Sequence, residues 1–208
     1  MRVIVKKYGG TSVSSVTKIK NIAKKVVDDA TRNKVVVVLS AMGKTTDQLV
    51  SLANRCTKNP DMRDYDLLVS SGEQVSISLL SMSIKDLGRD SVAYTGWQAG
   101  IRTNNSHSSA RIVDINANKI KKDLKENKIV IVAGFQGINN GFITTLGRGG
   151  SDTSAVAIAA ALKAAECQIF TDVDGVYTTD PRVCSKAKKV DQMTYEEMLE
   201  MSGLGSKV

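Results

Sequence analysis

Apolar residues follow two alternating patterns along this 208-residue chain. Residues 35–39 form an unbroken valine-rich run and residues 128–133 a second. Such runs are what strands buried on both faces of a parallel sheet require. Residues 3–5, 92–94 and 167–170 read as shorter strands, and residues 111–115 as a further one. Between them the spacing changes. Val16, Ile19, Ala23, Val26, Val27 and Ala30 recur at three and four residues, which predicts an amphipathic helix with its lysines outside. Further helices are predicted to open at Thr45, to span much of 66–87 around Val75, Ile77, Leu79, Leu80 and Ile84, and to cover 117–126 and 153–165. A last one follows Thr194, a suitable N-cap, with Glu196 and Glu197 in its first turn. Asn139-Asn140-Gly141 between apolar runs is a hairpin signal. Strands alternating with helices predict an α/β fold with a mostly parallel sheet and helices on both faces.

Polar and glycine-rich stretches cluster where strands end. The most pronounced is Gly147-Arg148-Gly149-Gly150-Ser151-Asp152, immediately before a helix. Glycines allow a ligand to approach the backbone, and helix N-termini favour anions. Arg148 adds a forked cation suited to carboxylate or phosphate. Ser151 or Asp152 also reads as a helix N-cap, and that alternative stays open. Lys7-Tyr8-Gly9-Gly10 follows the first strand, and Ser40 and Thr46 follow the second. Glu73 opens a helix, where it either complements the dipole or holds a substrate ammonium. Thr171-Asp172 follows the 167–170 strand. Neither a Walker A loop nor G-x-G-x-x-G is present. Ligands of open α/β sheets collect at the carboxyl edge of the strands, so these loops are expected to form one site.

Composition adds modest constraints. Hydrophobic residues make up 42%, enough for a folded core. The apolar run 35–39 is far too short to span a bilayer, and no secretory leader is read at the N-terminus. Cys56, Cys167 and Cys184 form no C-x-x-C pattern, which suits a reduced, cytoplasmic protein. His107, the one histidine, lies among serines and reads as a solvated loop residue; no metal-ligand cluster is expected. The net charge of +8 comes largely from lysines spread over helix faces without interleaved aromatics. It therefore argues for solvated surfaces and an anionic small substrate rather than nucleic acid.

Seven blocks carry a resemblance that runs essentially end to end: KYGGTSV at 7–13, SAMGKTTD at 40–47, SSGEQ at 70–74, GWQAGI at 96–101, TTLGRGGSDTSAVA at 144–157, TDVDGVYTTDPR at 171–182 and TYEEMLEMSGLGSKV at 194–208. In this order they resemble the aspartate kinases of the amino acid kinase family. Tyr8 stands where phenylalanine is common and Ser206 where alanine is common. The resemblance implies a three-layer α/β/α sandwich around a mostly parallel sheet. An aspartate-binding lobe would occupy residues 1–145 and an incomplete ATP-binding lobe residues 146–208. No ACT-type regulatory domain falls within the chain.

The implied reaction is MgATP-dependent phosphorylation of the side-chain carboxylate of L-aspartate, giving 4-phospho-L-aspartate on the route to lysine, threonine, methionine and diaminopimelate. By the same resemblance, Lys7, Asp152 and Lys207 are the catalytic candidates, with Asp152 also orienting Lys7. Ser40, Thr46, Glu73, Arg148 and Ser151 would bind aspartate, Glu73 through its ammonium and Arg148 through its α-carboxylate. Lys7, Tyr8, Gly9, Gly10, Thr171, Asp172, Tyr177, Thr178, Arg182 and Lys207 would hold the nucleotide. Mg²⁺ would be held mainly through the phosphates, with no dedicated protein ligands. Self-association, or association with a regulatory or completing chain, is expected, and a non-catalytic fragment that needs such a partner is the alternative reading.

Overall fold

The computed structural model describes residues 1–172, 175–180 and 183–203. Contacts divide the chain into two units, Met1–Phe170 and Thr171–Val208. In the first, elements run in the order β1 (Val3–Tyr8), α1 (Val16–Asp29), β2 (Lys34–Leu39), α2 (Thr45–Cys56), α3 (Met62–Val69), α4 (Ser71–Asp86), β3 (Ser91–Tyr94), β4 (Ile101–Thr103), β5 (Ile112–Ile115), α5 (Asn118–Lys125), β6 (Ile129–Ala133), β7 (Gln136–Asn139), β8 (Phe142–Thr145), α6 (Gly150–Leu162) and β9 (Glu166–Phe170). The second contains the two-stranded pair β10 (Val176–Tyr177) and β11 (Lys189–Val190), then α7 (Tyr195–Gly203).

The central sheet of the first unit has the order β3-β6-β2-β1-β9, and every pairing in it is parallel. The predicted α/β class and its parallel sheet are thus observed. Strand alternation divides the core in two. Ile4, Tyr8, Val35, Val37, Leu39, Ile129 and Ile131 pack against α1 and α4. Val5, Val36, Val38, Val130 and Val132 pack against α5 and α6 on the opposite face. Both faces being covered explains why β2 and β6 are continuously apolar. A smaller four-stranded sheet, β5-β4-β7-β8, is mixed rather than parallel, and β4 was not anticipated from the sequence. Its β7–β8 hairpin turns at Asn140 and Gly141, with φ of 46° and 86°, the left-handed pair that an Asn-Gly turn supplies.

One difference from the sequence reading stands out. The 66–87 region is two helices, because α3 ends and α4 begins around Ser70. Taken together, Met62–Asp86 is long and apolar enough to cross a membrane by length and composition alone. Its Ile77, Leu80 and Ile84 are nonetheless buried in the core against α1 and the sheet. In the second unit Thr194 caps α7 as predicted. Glu197 accepts from the Thr194 N–H at 2.7 Å while its own N–H donates to Thr194 Oγ1 at 3.2 Å, a capping box.

Ile131 lies in β6 with neighbours on both sides and no exposure. Ile131→Ala should lower unfolding free energy by about 2–5 kcal/mol, by lost transfer energy and a residual cavity. Urea denaturation checks this through a reduced midpoint at unchanged slope.

Candidate active site

β1 is flanked by β2, which follows it directly, and by β9, which arrives last after α6. The order of the sheet therefore reverses at β1, and its carboxyl end is where a ligand crevice is expected. Two lysines occur there, and alternation separates them. Lys6 is buried and pairs with Asp29 on α1, with its ammonium 5.4 Å from the Phe170 ring centre. Lys7 points to the other face, where its Nζ lies 2.7 Å from Oδ1 of Asp152 in the first turn of α6. At that separation the two form a close ion pair.

Glycine is required immediately beyond. A Cβ at Gly10 would sit 2.9 Å from the Ala41 carbonyl oxygen, too close for any side chain, and one at Gly9 would lie 3.5 Å from Lys7 Nζ, filling the space in front of the ammonium. Gly10 is held there because its carbonyl accepts from Gly43 N at 2.9 Å. Tyr8 differs from its neighbours. Its ring is buried and stacks on Phe170 at 4.6 Å and 9°, and burial raises its hydroxyl pKa. The Tyr8 side chain thus belongs to the core.

The loop after β2 meets the start of α4. Ala41 N donates to Glu73 Oε1 at 3.1 Å, and Ser76 Oγ donates to the Ser40 carbonyl at 2.9 Å. Close packing of Gly72 on Ala41, where a Cβ would approach the alanine methyl to 2.9 Å, brings the helix this near. Glu73 is 2% exposed, and its Oε2 has no hydrogen-bond partner among the described residues. Burial pushes its carboxyl from the ordinary 4.5 up to about 7, against the lowering effect of the backbone hydrogen bonds. Thr46, in the first turn of α2, is half-buried.

The third side is the loop into α6. Gly147 and Gly149 have φ of 76° and 75° and turn the chain tightly around Arg148, which is exposed. Gly149 is the N-cap, with no side-chain capping bond, so neither Ser151 nor Asp152 caps this helix; both lie in its first turn. Ser151 is buried against Gly134, where a Cβ would come within 2.8 Å of it. Lys7 thus touches Asp152 and lies beside Gly9, while Ala41 lies between Gly10 and Glu73, Ser76 ties Ser40 to the same helix, and Ser151 packs on Gly134. Thr46 and Arg148 sit on the adjoining loops.

Thr171, Asp172, Tyr177 and Thr178 belong to the second unit. Within it Thr171 Oγ1 donates to Asp172 Oδ1 at 3.2 Å, Tyr177 pairs with Lys189, and Thr178 N donates to the Lys188 carbonyl at 2.9 Å. Arg182 and Lys207 lie outside the described residues.

His107 corrects the sequence reading. It is not a solvated loop residue, for its Nδ1 lies 2.7 Å from Oδ2 of Asp66, a carboxylate with no exposure in α3. Asp66 also accepts from Ser108 N and Thr145 Oγ1. The sequence held a weak signal for this, a single Asp on the buried side of a helix, but nothing that named its partners.

A parallel sheet with a lysine and close-packed glycines at its switch point, and a buried carboxylate bonded to the loop after the neighbouring strand, is the arrangement in which open α/β sheets hold small polar ligands. The amino acid kinase family model matches residues 2–208, and the chain belongs to that family. It is 55% identical over its whole length to the aspartokinase of Geobacillus stearothermophilus, of which it covers 52%. Among solved structures, the aspartate kinase of Synechocystis matches 97% of this chain with a TM-score of 0.82 and 47% identity, over 34% of that protein. E. coli aspartokinase III, solved with aspartate and ADP, matches 98% with a TM-score of 0.86 and 31% identity, over 57% of that protein. The chain spans about half the length of the curated relatives it matches.

Because the folded-state value of Glu73 lies above its ordinary one, its contribution to stability is full below about pH 4.5 and is lost as pH rises through about 7. The ligand-free protein should lose on the order of 3 kcal/mol across that window from this group alone. Glu73→Gln should flatten that part of the profile, measured by denaturant unfolding between pH 5 and 8. A cationic ligand at Oε2 should flatten it in the unmodified chain.

Proposed function

We propose that this chain is the catalytic portion of an aspartate kinase, transferring the γ-phosphoryl group of ATP to the side-chain carboxylate of L-aspartate. The observation that carries the reading is the buried Glu73 carboxylate with one unpaired oxygen, at the same sheet edge as Lys7 and its ion pair with Asp152. An unpaired buried carboxylate is costly unless a cation meets it. The α-ammonium of an amino acid supplies that cation. Likeness to aspartokinases, one of them solved with aspartate and ADP, supports the choice of substrate and nucleotide.

In this reading Glu73 receives the ammonium and Arg148 the α-carboxylate, with Ser40, Thr46 and Ser151 lining the pocket. Lys7 swings from Asp152 to the transferring phosphoryl group, and the space in front of Gly9 and Gly10 admits its oxygens. One carboxylate oxygen of aspartate forms the new P–O bond, the bond to the β-phosphate bridging oxygen breaks, and ADP leaves. No proton moves, because a side-chain carboxylate is already ionised at neutral pH. Positioning and charge neutralisation are then the main tasks. Thr171, Asp172, Tyr177, Thr178, Arg182 and Lys207 are assigned to the nucleotide, with Lys207 a second phosphate contact. Mg²⁺ in this reading is an ion carried mainly by the phosphates, near the Lys7–Asp152 pair. Bound there, it would neutralise phosphate charge.

The division of labour is aspartate recognition mainly within residues 1–145 and nucleotide recognition within 146–208. A cytoplasmic place at the head of lysine, threonine, methionine and diaminopimelate synthesis follows from the same reading. Self-association, or association with a regulatory or completing chain, belongs to the same reading.

Lys7→Ala should lower turnover by about 10²-fold or more with the far-UV circular dichroism unchanged. A hydroxamate assay with aspartate and MgATP reads this, and near-normal turnover would remove Lys7 from the reaction. Arg148→Ala should raise KM for aspartate at least about tenfold while leaving KM for MgATP within about twofold, as loss of one charge-assisted contact implies. Equal changes in both would contradict the assigned pocket.

A further inference from the structure

We propose that Asp66 and His107 are positioning residues: the buried Asp66 carboxylate clamps the 104–110 loop to the end of β8 and thereby sets the 146–149 loop that carries Arg148. This rests on the reading of Arg148 above and adds the device that holds its loop in place.

Asp66 is fully buried in α3, seven residues before Glu73. A carboxylate so placed requires donors. They come from two separate segments. His107 Nδ1 lies at 2.7 Å from Oδ2, and Ser108 N–H reaches both oxygens at 3.0 and 3.1 Å. Thr145 Oγ1, the last residue of β8, supplies the third donor. Ser108 has φ of 61°, a left-handed conformation that a non-glycine residue adopts at a cost. Its paired bonds to Asp66 offset that cost, and such over-determined strain marks a loop that is held for a reason.

The clamp reaches the Arg148 loop directly. Ala110 N donates to the Thr145 carbonyl at 2.8 Å. A Cβ at Gly147 would lie 3.3 Å from the Ser108 carbonyl oxygen, so the two loops touch. On its far side Leu146 N donates to Phe135 O at 2.9 Å. Arg148 itself is exposed and flanked by two glycines at positive φ, a backbone that has little preference of its own. Its direction is therefore set from outside, by Phe135 on one side and by the Asp66 assembly on the other.

His107→Ala removes one donor without touching the core. It should raise KM for aspartate about five- to tenfold, the scale of one ordinary intramolecular hydrogen bond, with kcat and KM for MgATP changed by less than about twofold. His107→Asn, which returns an N–H near the Nδ1 position, should restore most of the loss. Hydrogen–deuterium exchange on the same variants should rise in 104–110 and in 146–149 for alanine, fall back for asparagine, and stay unchanged in β2 and β6. Asp66→Asn should show the same pattern more strongly; where it does not fold, the His107 variants decide. Exchange that rises in 104–110 alone, or KM values for both substrates that rise together, would overturn the clamp. A wild-type chain that does not phosphorylate aspartate would overturn the functional reading instead, and the exchange result would still decide the clamp.

Discussion

The register of β1 between β2 and β9 is the constraint on which the site depends. Lys7 pairs with Val38 on one side and Ile169 on the other, and the alternation of the strand sends it toward α6. A shift of one residue would exchange Lys6 and Lys7 between faces. Lys7 would then face α1, and Lys6 would meet Asp152 without the glycines immediately beyond it. The register is secured by the apolar residues that alternate with the lysines. Ile4 and Tyr8 are committed to one core cluster and Val5 to the other, and either would be misplaced by a slip. Packing that contributes nothing to chemistry thus fixes which ammonium is available for it.

Four carboxylates of the first unit show how environment assigns roles to one chemical group. Asp29 is matched by Lys6, which keeps a buried lysine structural. Asp152 pairs with Lys7 on the opposite face of the sheet from the Lys6–Asp29 pair. Asp66 is satisfied from three residues and needs nothing more from outside. Glu73 is equally buried but only half satisfied, and burial raises its pKa. Satisfaction rather than burial separates a carboxylate with an open acceptor from one whose donors are all supplied by the fold.

Much of the scaffold was legible along the chain. The valine run at 35–39 and the run at 128–133 revealed central strands because burial on both faces leaves no room for polar positions. The helix at Val16–Asp29 and the β7–β8 turn followed from spacing and from Asn-Gly chemistry, both local properties. The helix start near Glu73 was legible from the polar stretch 70–74, whereas the separate helix α3 before it was not, since its eight residues carry little pattern of their own. β4 was missed because three residues carry too little pattern to separate a strand from a loop.

The sequence by itself determined the element types, the loops rich in glycine and charge, and the family to which they belong. It did so because periodicity, turn residues and motif spacing are written in neighbouring positions. Only the tertiary structure decided which of two adjacent lysines meets Asp152, that Tyr8 is core, that Gly149 rather than Ser151 or Asp152 caps α6, and that His107 is tied to Asp66 forty-one positions away. Those outcomes depend on contacts between segments distant in the chain. Strand pairing and burial create such contacts, and no local pattern encodes them.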